Sequence, residues 1–283
     1  MFERQRSGSV VCPTCRKLVG VNEPECPHCG RQSPGMFGFS RGLQRMAGGE
    51  WFVPMVIGAC SVLYVFSFLL APQAPSGGIF SFLSPNGRVL EAIGASGALP
   101  VFAAGRWWTV LSASWLHGSL LHILFNMMWI RQVAPFLLGQ FGLGRTLLVY
   151  VISGASGFLL TSAVGWYLHF LPWPFTGAGV TVGASASIFG LFGALILYGQ
   201  RIGSSALSRQ VLTWAGILFV LGLVMRGVDN YAHLGGFIGG YLAARALDPL
   251  EPETPGQLLG GFLALLISLL AVLLSILTGL RLG

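Results

Sequence analysis

Charged residues are scarce in this 283-residue sequence: only 9% are Asp, Glu, Lys or Arg, while 54% are hydrophobic. A soluble globular protein carries about 25% charged residues, so the composition excludes an ordinary cytosolic enzyme. The net charge of +7 is spread thinly and forms no basic stripe of the kind that follows a phosphate backbone, so no nucleic-acid partner is expected. The composition predicts an all-α, multi-pass membrane protein in a lipid bilayer.

The sequence also lacks the residues that several other classes of membrane protease need for catalysis. Lys17 is the single lysine and lies in the polar head, which excludes a Ser–Lys dyad in the membrane, and no HExxH zinc-protease motif occurs. Asp229 and Asp248 lie at opposite ends of one predicted helix, so they cannot share a proton as an aspartyl pair. Asp229 precedes His233 by four residues, and we expect it to cap that helix rather than complete a catalytic triad.

Seven segments are long and apolar enough to be membrane spans, because one crossing needs about 20 mostly apolar residues. No charged residue occurs in 146–200, where Pro172 and Pro174 separate two of the spans. The stretch 72–107 is long for a loop, and long loops are often functional. The predicted spans are 51–71, 115–138, 146–168, 184–200, 210–226, 229–247 and 260–280.

The N-terminal 50 residues hold seven of the sixteen Lys and Arg residues and no apolar stretch. We therefore expect no cleavable signal peptide and a cytoplasmic N-terminus, with the C-terminus outside after seven crossings. The expected location is a prokaryotic plasma membrane, with an organellar membrane as the alternative. The predicted domains are a head at 1–32, a linker at 33–50, a core at 51–247, and a linker with the seventh span at 248–283.

The polar head contains two CxxC motifs, formed by Cys12, Cys15, Cys26 and Cys29. Two such turns complete a tetrahedral thiolate site, and metal supplies folding energy to a head too small to build its own core. The spacing predicts structural Zn²⁺ on these four ligands, with a redox dithiol pair or a disordered tail as the alternative. It does not indicate which protein partner the head binds.

Polar side chains inside the predicted spans are candidates for function, because burying them in lipid is costly. His122 and Asn126 are four residues apart and share one helical face. Ser185 opens the fourth span just after Gly183, where free backbone N–H groups stabilise an oxyanion. Its alternative role is that of a helix N-cap.

The sixth span combines His233 with small residues. Gly236 and Gly240 lie on the face of His233 and permit close approach of a second helix. The fourth span offers matching small residues at Ala186, Gly190, Gly193 and Ala194. Packing of these two helices brings Ser185 and His233 together.

These motifs, in this order, resemble the rhomboid family of intramembrane serine proteases. They are HxxxxHxxxN from His117 to Asn126, GxS from Gly183 to Ser185, and AHxxGxxxG from Ala232 to Gly240. The resemblance covers 51–247 and implies a six-helix core, to which the zinc head and the seventh helix are additions.

The resemblance also implies roles. Ser185 is expected as the nucleophile and His233 as the general base, with no catalytic cofactor. The oxyanion hole is expected from His122, Asn126 and the backbone N–H of Ser185, while His117 matches a structural position in the loop before the second span. The implied substrates are transmembrane segments of other proteins.

Two positions depart from the family pattern. Thr109 follows Trp108 where the family commonly has Arg, and Arg106 is a candidate substitute. Phe189 stands where Tyr is frequent, so its ring can stack on His233 without a hydroxyl. A catalytically silent protein that binds membrane clients is the alternative function, and few intramembrane carboxylates argue against a proton channel.

Overall fold

The computed structural model describes residues 5, 7–35, 48–72, 81–172, 174–225 and 227–279. Most of the predicted linker, residues 36–47, therefore lies outside the described residues, as do 280–283 at the end of the predicted seventh span. The chain divides into two compact units, residues 1–54 and 55–283.

The head contains a short antiparallel pair of strands, β1 (Ser9–Val11) and β2 (Leu18–Gly20), with Val10 opposite Val19. Alternation along the strands turns these two valines inward, where they form a small cluster with buried cysteines. The hydrophobic core of this unit is small, as expected for a domain of this size.

Helices form almost all of the second unit, which confirms the predicted helical membrane fold. All seven predicted spans are helical. The helices are α1 (Phe52–Leu70), α2 (Gly87–Ile93), α3 (Thr109–Ser112), α4 (Leu120–Phe141), α5 (Leu143–Tyr167), α6 (Ser185–Arg201), α7 (Ser205–Val224), α8 (Asn230–Leu247) and α9 (Pro255–Gly279).

Within the described ranges, five helices are long and apolar enough to cross a membrane: α1, α4, α5, α7 and α9. The two remaining long helices, α6 and α8, are the shortest of the seven and are rich in small residues. Most of α6 is buried against other helices. Its composition therefore reflects contact with protein rather than contact with lipid.

Three helix starts differ from the predicted ones by five residues, each next to a Ser or Thr cap. The second span was predicted from residue 115, but α4 begins at Leu120 because the Ser119 side chain accepts the N–H of His122. The fifth span was predicted from residue 210, but α7 begins at Ser205 behind the cap Ser204. The seventh span was predicted from residue 260, but α9 begins at Pro255, where Thr254 Oγ1 accepts the N–H of Gln257.

The predicted long loop at 72–107 is substantially folded in its described part. It contains α2, capped by Asn86, and a π-helical turn at Leu99–Ala103, and α3 follows directly. The backbone of Ser96 exchanges two hydrogen bonds with Thr181, of 2.7 and 3.0 Å. This segment therefore holds the backbone that leads into α6.

Helices α6 and α8 are in backbone contact along a row of small residues. A methyl group at Gly240 would collide with the backbone of Gly190, and one at Gly236 would collide with the backbone of Ala186. Side chains cannot be accommodated between the helices at these points, so glycine sets the helix separation.

We expect Gly240→Ala to destabilise the bundle by about 2 kcal/mol or more, because overpacking forces the two backbones apart. The loss of stability is measured as a lower melting temperature in thermal unfolding of the purified protein. The matched control is Gly216→Ala on α7, where an added methyl group meets no atom within 4 Å. Equal melting temperatures for the two variants would contradict the close helix contact.

Candidate active site and metal cluster

Three helices begin at the same end of the bundle and carry the polar residues singled out in the sequence. His122 lies in the first turn of α4, Ser185 is the first residue of α6, and His233 lies in the first turn of α8. Free backbone N–H groups also occur in the first turn of a helix, which favours negative charge there. Of these three helix starts, that of α6 has no side-chain cap, so its backbone N–H groups are suited to bind a developing anion.

Ser185 is not a helix cap. The N-cap position belongs to Ala184, and no side chain makes a capping hydrogen bond at this helix end. Ser185 is partly exposed, whereas every other residue from 183 to 197 is buried. The N-cap alternative is therefore wrong, and Ser185 is a partly exposed residue at an otherwise buried helix start.

Gly183 shapes the space beside this hydroxyl. Its backbone has a φ of 136°, which residues with a side chain rarely adopt. A methyl group added here would lie 2.6 Å from His122 Nε2 and 3.7 Å from Ser185 Oγ. The imidazole of His122 and the hydroxyl of Ser185 therefore border the same small space, which only glycine leaves open.

The orientation of the His122 ring is set by backbone. The N–H of Gly118 donates to His122 Nδ1 at 3.4 Å, so the Nε2 atom of the neutral ring carries the hydrogen and faces Gly183. Asn126 donates one Nδ2 hydrogen to the His122 carbonyl at 2.8 Å, which leaves a second hydrogen on that nitrogen. The His122 ring thus presents a donor to the space beside Gly183, and Asn126 keeps a free donor hydrogen one helical turn further along α4.

His233 is held by an aromatic ring. It stacks face to face on Phe189, with ring centroids 4.1 Å apart and planes inclined by 8°. Phe189 is one helical turn after Ser185, so the imidazole is fixed against the helix that carries the serine. Among the described residues, no hydrogen bond joins Ser185 Oγ to His233, and His233 Nδ1 is buried without a partner.

Asp229 does not complete a triad. Its carboxylate accepts the N–H of Ala232 at 3.0 Å and caps α8, as the sequence predicts. His117 lies before α4 in the loop 116–119, where its buried ring packs edge-on against His122 with centroids 5.2 Å apart. Asp229 therefore fixes the start of the helix that carries His233, and His117 packs against the ring of His122.

Sequence reasoning missed two backbone groups that hold the site together. One is the N–H of Gly118, and the other is the carbonyl of Ala113, which accepts the N–H of Gly183 at 3.0 Å. Backbone atoms carry no residue-type signal, so no pattern in the sequence could have identified them.

The four head cysteines form a compact cluster. Their sulfur atoms all lie within 4.8 Å of one another, and the Cys12–Cys29 and Cys15–Cys26 pairs are both 3.7 Å apart. A tetrahedral site with a zinc–sulfur bond of about 2.3 Å has sulfur separations of about 3.8 Å. The cluster can therefore hold a metal ion, and its dimensions fit zinc.

The thiols of this cluster differ in acidity. The backbone N–H of Cys15 lowers the pKa of Cys12 to about 6 despite burial. The backbone N–H of Arg31 favours the Cys29 thiolate, but desolvation and the three neighbouring thiols raise its pKa to about 12. Metal ligation requires all four thiols in the deprotonated form. Four thiolates this close together repel one another, so a bound cation is needed to stabilise them.

Comparison with known proteins places these residues in context. A family model described as the Rhomboid domain matches residues 104–248, just over half of the chain. The chain is 33% identical over 181 residues to the putative rhomboid protease YdcA of Bacillus subtilis (strain 168), covering 63% of this chain and 85% of that protein. It is 31% identical over 167 residues to rhomboid protease GluP of the same organism, covering 58% and 30%.

Plant relatives are similar to the same degree. RHOMBOID-like protein 4 of Arabidopsis thaliana is 33% identical over 165 residues, covering 56% of this chain and 39% of that protein. RHOMBOID-like proteins 1 and 7 of the same plant are each 30% identical, and the chain covers 52% and 64% of their lengths. The chain thus spans less than two thirds of these relatives.

The His122 geometry predicts the Nε2–H tautomer at neutral pH, because the Gly118 N–H occupies Nδ1. Nitrogen-15 NMR of histidine-labelled protein in lipid nanodiscs distinguishes the two ring nitrogens, with His122→Ala identifying the signal. A hydrogen on Nδ1 would contradict the orientation described for this ring.

Proposed function

The chain belongs to the rhomboid family, and from this we propose that it is an intramembrane serine endopeptidase with a Ser185–His233 dyad. The observation that carries the proposal is the space beside Gly183, which Ser185 Oγ and His122 Nε2 both border. A nucleophile and an aligned donor at one point are what acyl transfer requires.

The first step is attack by Ser185 Oγ on the carbonyl carbon of the substrate peptide bond. His233 Nε2 accepts the serine proton as the bond forms, since a hydroxyl is a poor nucleophile while it keeps its proton. The stacked Phe189 ring limits rotation of the imidazole, which restricts the directions its nitrogen can take. The serine–histidine hydrogen bond, not present in the free protein, forms when substrate is bound.

The negative charge then develops on the former carbonyl oxygen. We assign its stabilisation to His122 Nε2–H, the second Nδ2–H of Asn126 and the backbone N–H of Ser185. His233 returns its proton to the departing amine, and the acyl ester on Ser185 is hydrolysed by water in a second half of the reaction. Each fixed donor contributes strongly because the site is shielded by protein and lipid.

The substrate we propose is a transmembrane segment of another membrane protein. Its scissile bond must leave the helical conformation to reach Ser185, because a helix shields its peptide bonds. Segments with glycine or proline near that bond unwind at lower cost. The alternative function, binding of membrane clients without cleavage, makes no use of the Ser185 hydroxyl.

Ser185→Ala should abolish both cleavage of a reporter transmembrane segment in proteoliposomes and labelling by a fluorophosphonate probe. We expect the cleavage rate to fall on the order of 10⁴-fold or more, as for other serine proteases without their nucleophile. Ser187→Ala, two residues along α6, removes a buried hydroxyl that bonds to Ser114 and serves as the matched control.

Labelling of the control but not of Ser185→Ala, together with cleavage by the control, is the expected result. Wild-type protein that is folded yet neither cleaves nor reacts would overturn the proposal and favour client binding.

We propose that the head holds one structural Zn²⁺ on Cys12, Cys15, Cys26 and Cys29, and that it faces the cytoplasm. The sulfur separations support the metal, and the excess of Lys and Arg in the first 50 residues supports the orientation. The location of the protein in a prokaryotic plasma membrane and the binding of a protein partner by the head remain predictions from the sequence.

Metal analysis of the purified protein should find one zinc per chain. We expect Cys12→Ser to lose the metal, because three thiolates no longer close the tetrahedral site. Cys60→Ser is the control, since Cys60 is a buried lone cysteine of α1, and it should retain zinc. Wild-type protein without zinc, or zinc retained in full by Cys12→Ser, would contradict the assignment.

A further inference from the structure

Helix α9, which corresponds to the seventh predicted span, lies outside the matched family domain. Buried polar contacts nevertheless fix it to the core. At its beginning, Arg145 of α5 donates to the side chain of Gln257 at 2.9 Å and to the carbonyl of Glu251 at 2.7 Å. Gly144 and Gly261 bring the two helix backbones into contact nearby. The first turns of α9 are therefore attached to α5.

Two buried serines mark the face of α9 that meets the core. Ser268 and Ser275 are seven residues apart, which places them on one helical face two turns from each other. The Trp115 indole N–H donates to Ser268 Oγ at 3.3 Å, and the Trp108 indole N–H donates to Ser275 Oγ at 3.2 Å. A helix held only by apolar packing needs no such buried hydroxyls.

A third contact uses a buried cation. Arg106 donates to the backbone carbonyl of Ser275 at 2.9 Å and also to the carbonyls of Glu91 and Ala92, at 2.8 and 3.0 Å. The Ser112 and Ser275 hydroxyls are 3.4 Å apart as well. All these partners of Ser275 and Ser268 come from one segment of the chain, residues 106–115.

The segment 106–115 leads directly to the candidate oxyanion hole. The carbonyl of Ala113 accepts the Gly183 N–H at 3.0 Å, and Gly183 separates Ser185 Oγ from His122 Nε2. The same segment continues through His117, whose ring packs on His122. Displacement of 106–115 therefore changes both the Gly183 backbone and the His122 ring.

We infer that α9 is a positioning element for the oxyanion side of the site, acting through Ser275 and Ser268 on residues 106–115. The role in turnover rests on the proposed function. Neither serine touches the substrate, so both are positioning residues. A displacement of about 1 Å in a catalytic group can cost about 10²-fold in rate, so small shifts of this segment are enough to matter.

The test compares Ser275→Ala with Thr278→Ala in full-length protein reconstituted in proteoliposomes. Thr278 is on the same helix, but among the described residues its hydroxyl bonds to carbonyls of α9 itself, those of Leu274 and Ser275. We expect Ser275→Ala to lower kcat about 10-fold with KM and melting temperature nearly unchanged. Thr278→Ala should match wild type, and Ser275→Thr, which keeps the oxygen, should restore most of kcat.

A second measurement does not depend on turnover. The His122 nitrogen-15 signals should shift in Ser275→Ala and stay in place in Thr278→Ala. If wild type does not cleave the reporter, the proposed function fails while these signals still test the coupling through 106–115. Trp108→Phe removes the same hydrogen bond from the other side and replaces Ser275→Ala should that variant not fold.

Two results would overturn the inference. One is a Ser275→Ala protein with wild-type kcat and unshifted His122 signals. The other is a loss of kcat that follows the fraction of unfolded protein in every variant, because α9 would then only stabilise the bundle.

Discussion

The contact between the backbones of α6 and α8 is the constraint on which the rest of the site depends. The hydrophobic effect does not drive association of helices in lipid, so their association depends on close packing. Gly190 and Gly240 permit such packing between α6 and α8. At this separation the ring of His233 reaches Phe189, one turn from Ser185. A wider helix pair would leave the serine and the histidine on separate surfaces.

The oxyanion side of the site is built differently, from backbone and loop. Gly183 is tied to Ala113, and the His122 ring is oriented by the N–H of Gly118. Both of these holding groups are main-chain atoms of an already folded segment, so no additional side-chain rotamer has to be fixed to supply them. The site therefore has two parts. The contact between α6 and α8 positions the proposed nucleophile and base, and the folded segment before α4 positions the proposed donors.

The sequence was sufficient to predict helices at the seven spans and the cysteine cluster, because both depend on local spacing, while the roles of the site residues stay predictions. Ser185, His233 and the glycines of α8 fall in short motifs with helical periodicity. The fold of 81–107 was not predictable, since α2 and the π-helical turn are too short for a periodic signal. Nor were the bonds of Ser275, because its partners Arg106 and Trp108 are distant in sequence.

The central claim is that Ser185, His122 and the backbone at α6 form one site complementary to an oxyanion. The most direct test is a crystal structure of the protein after reaction with a fluorophosphonate. The account predicts a phosphorus–oxygen bond to Ser185 and a phosphonyl oxygen at about 2.7–3.2 Å from both the Ser185 nitrogen and His122 Nε2. An adduct whose oxygen points away from both donors, towards lipid or bulk water, would contradict it.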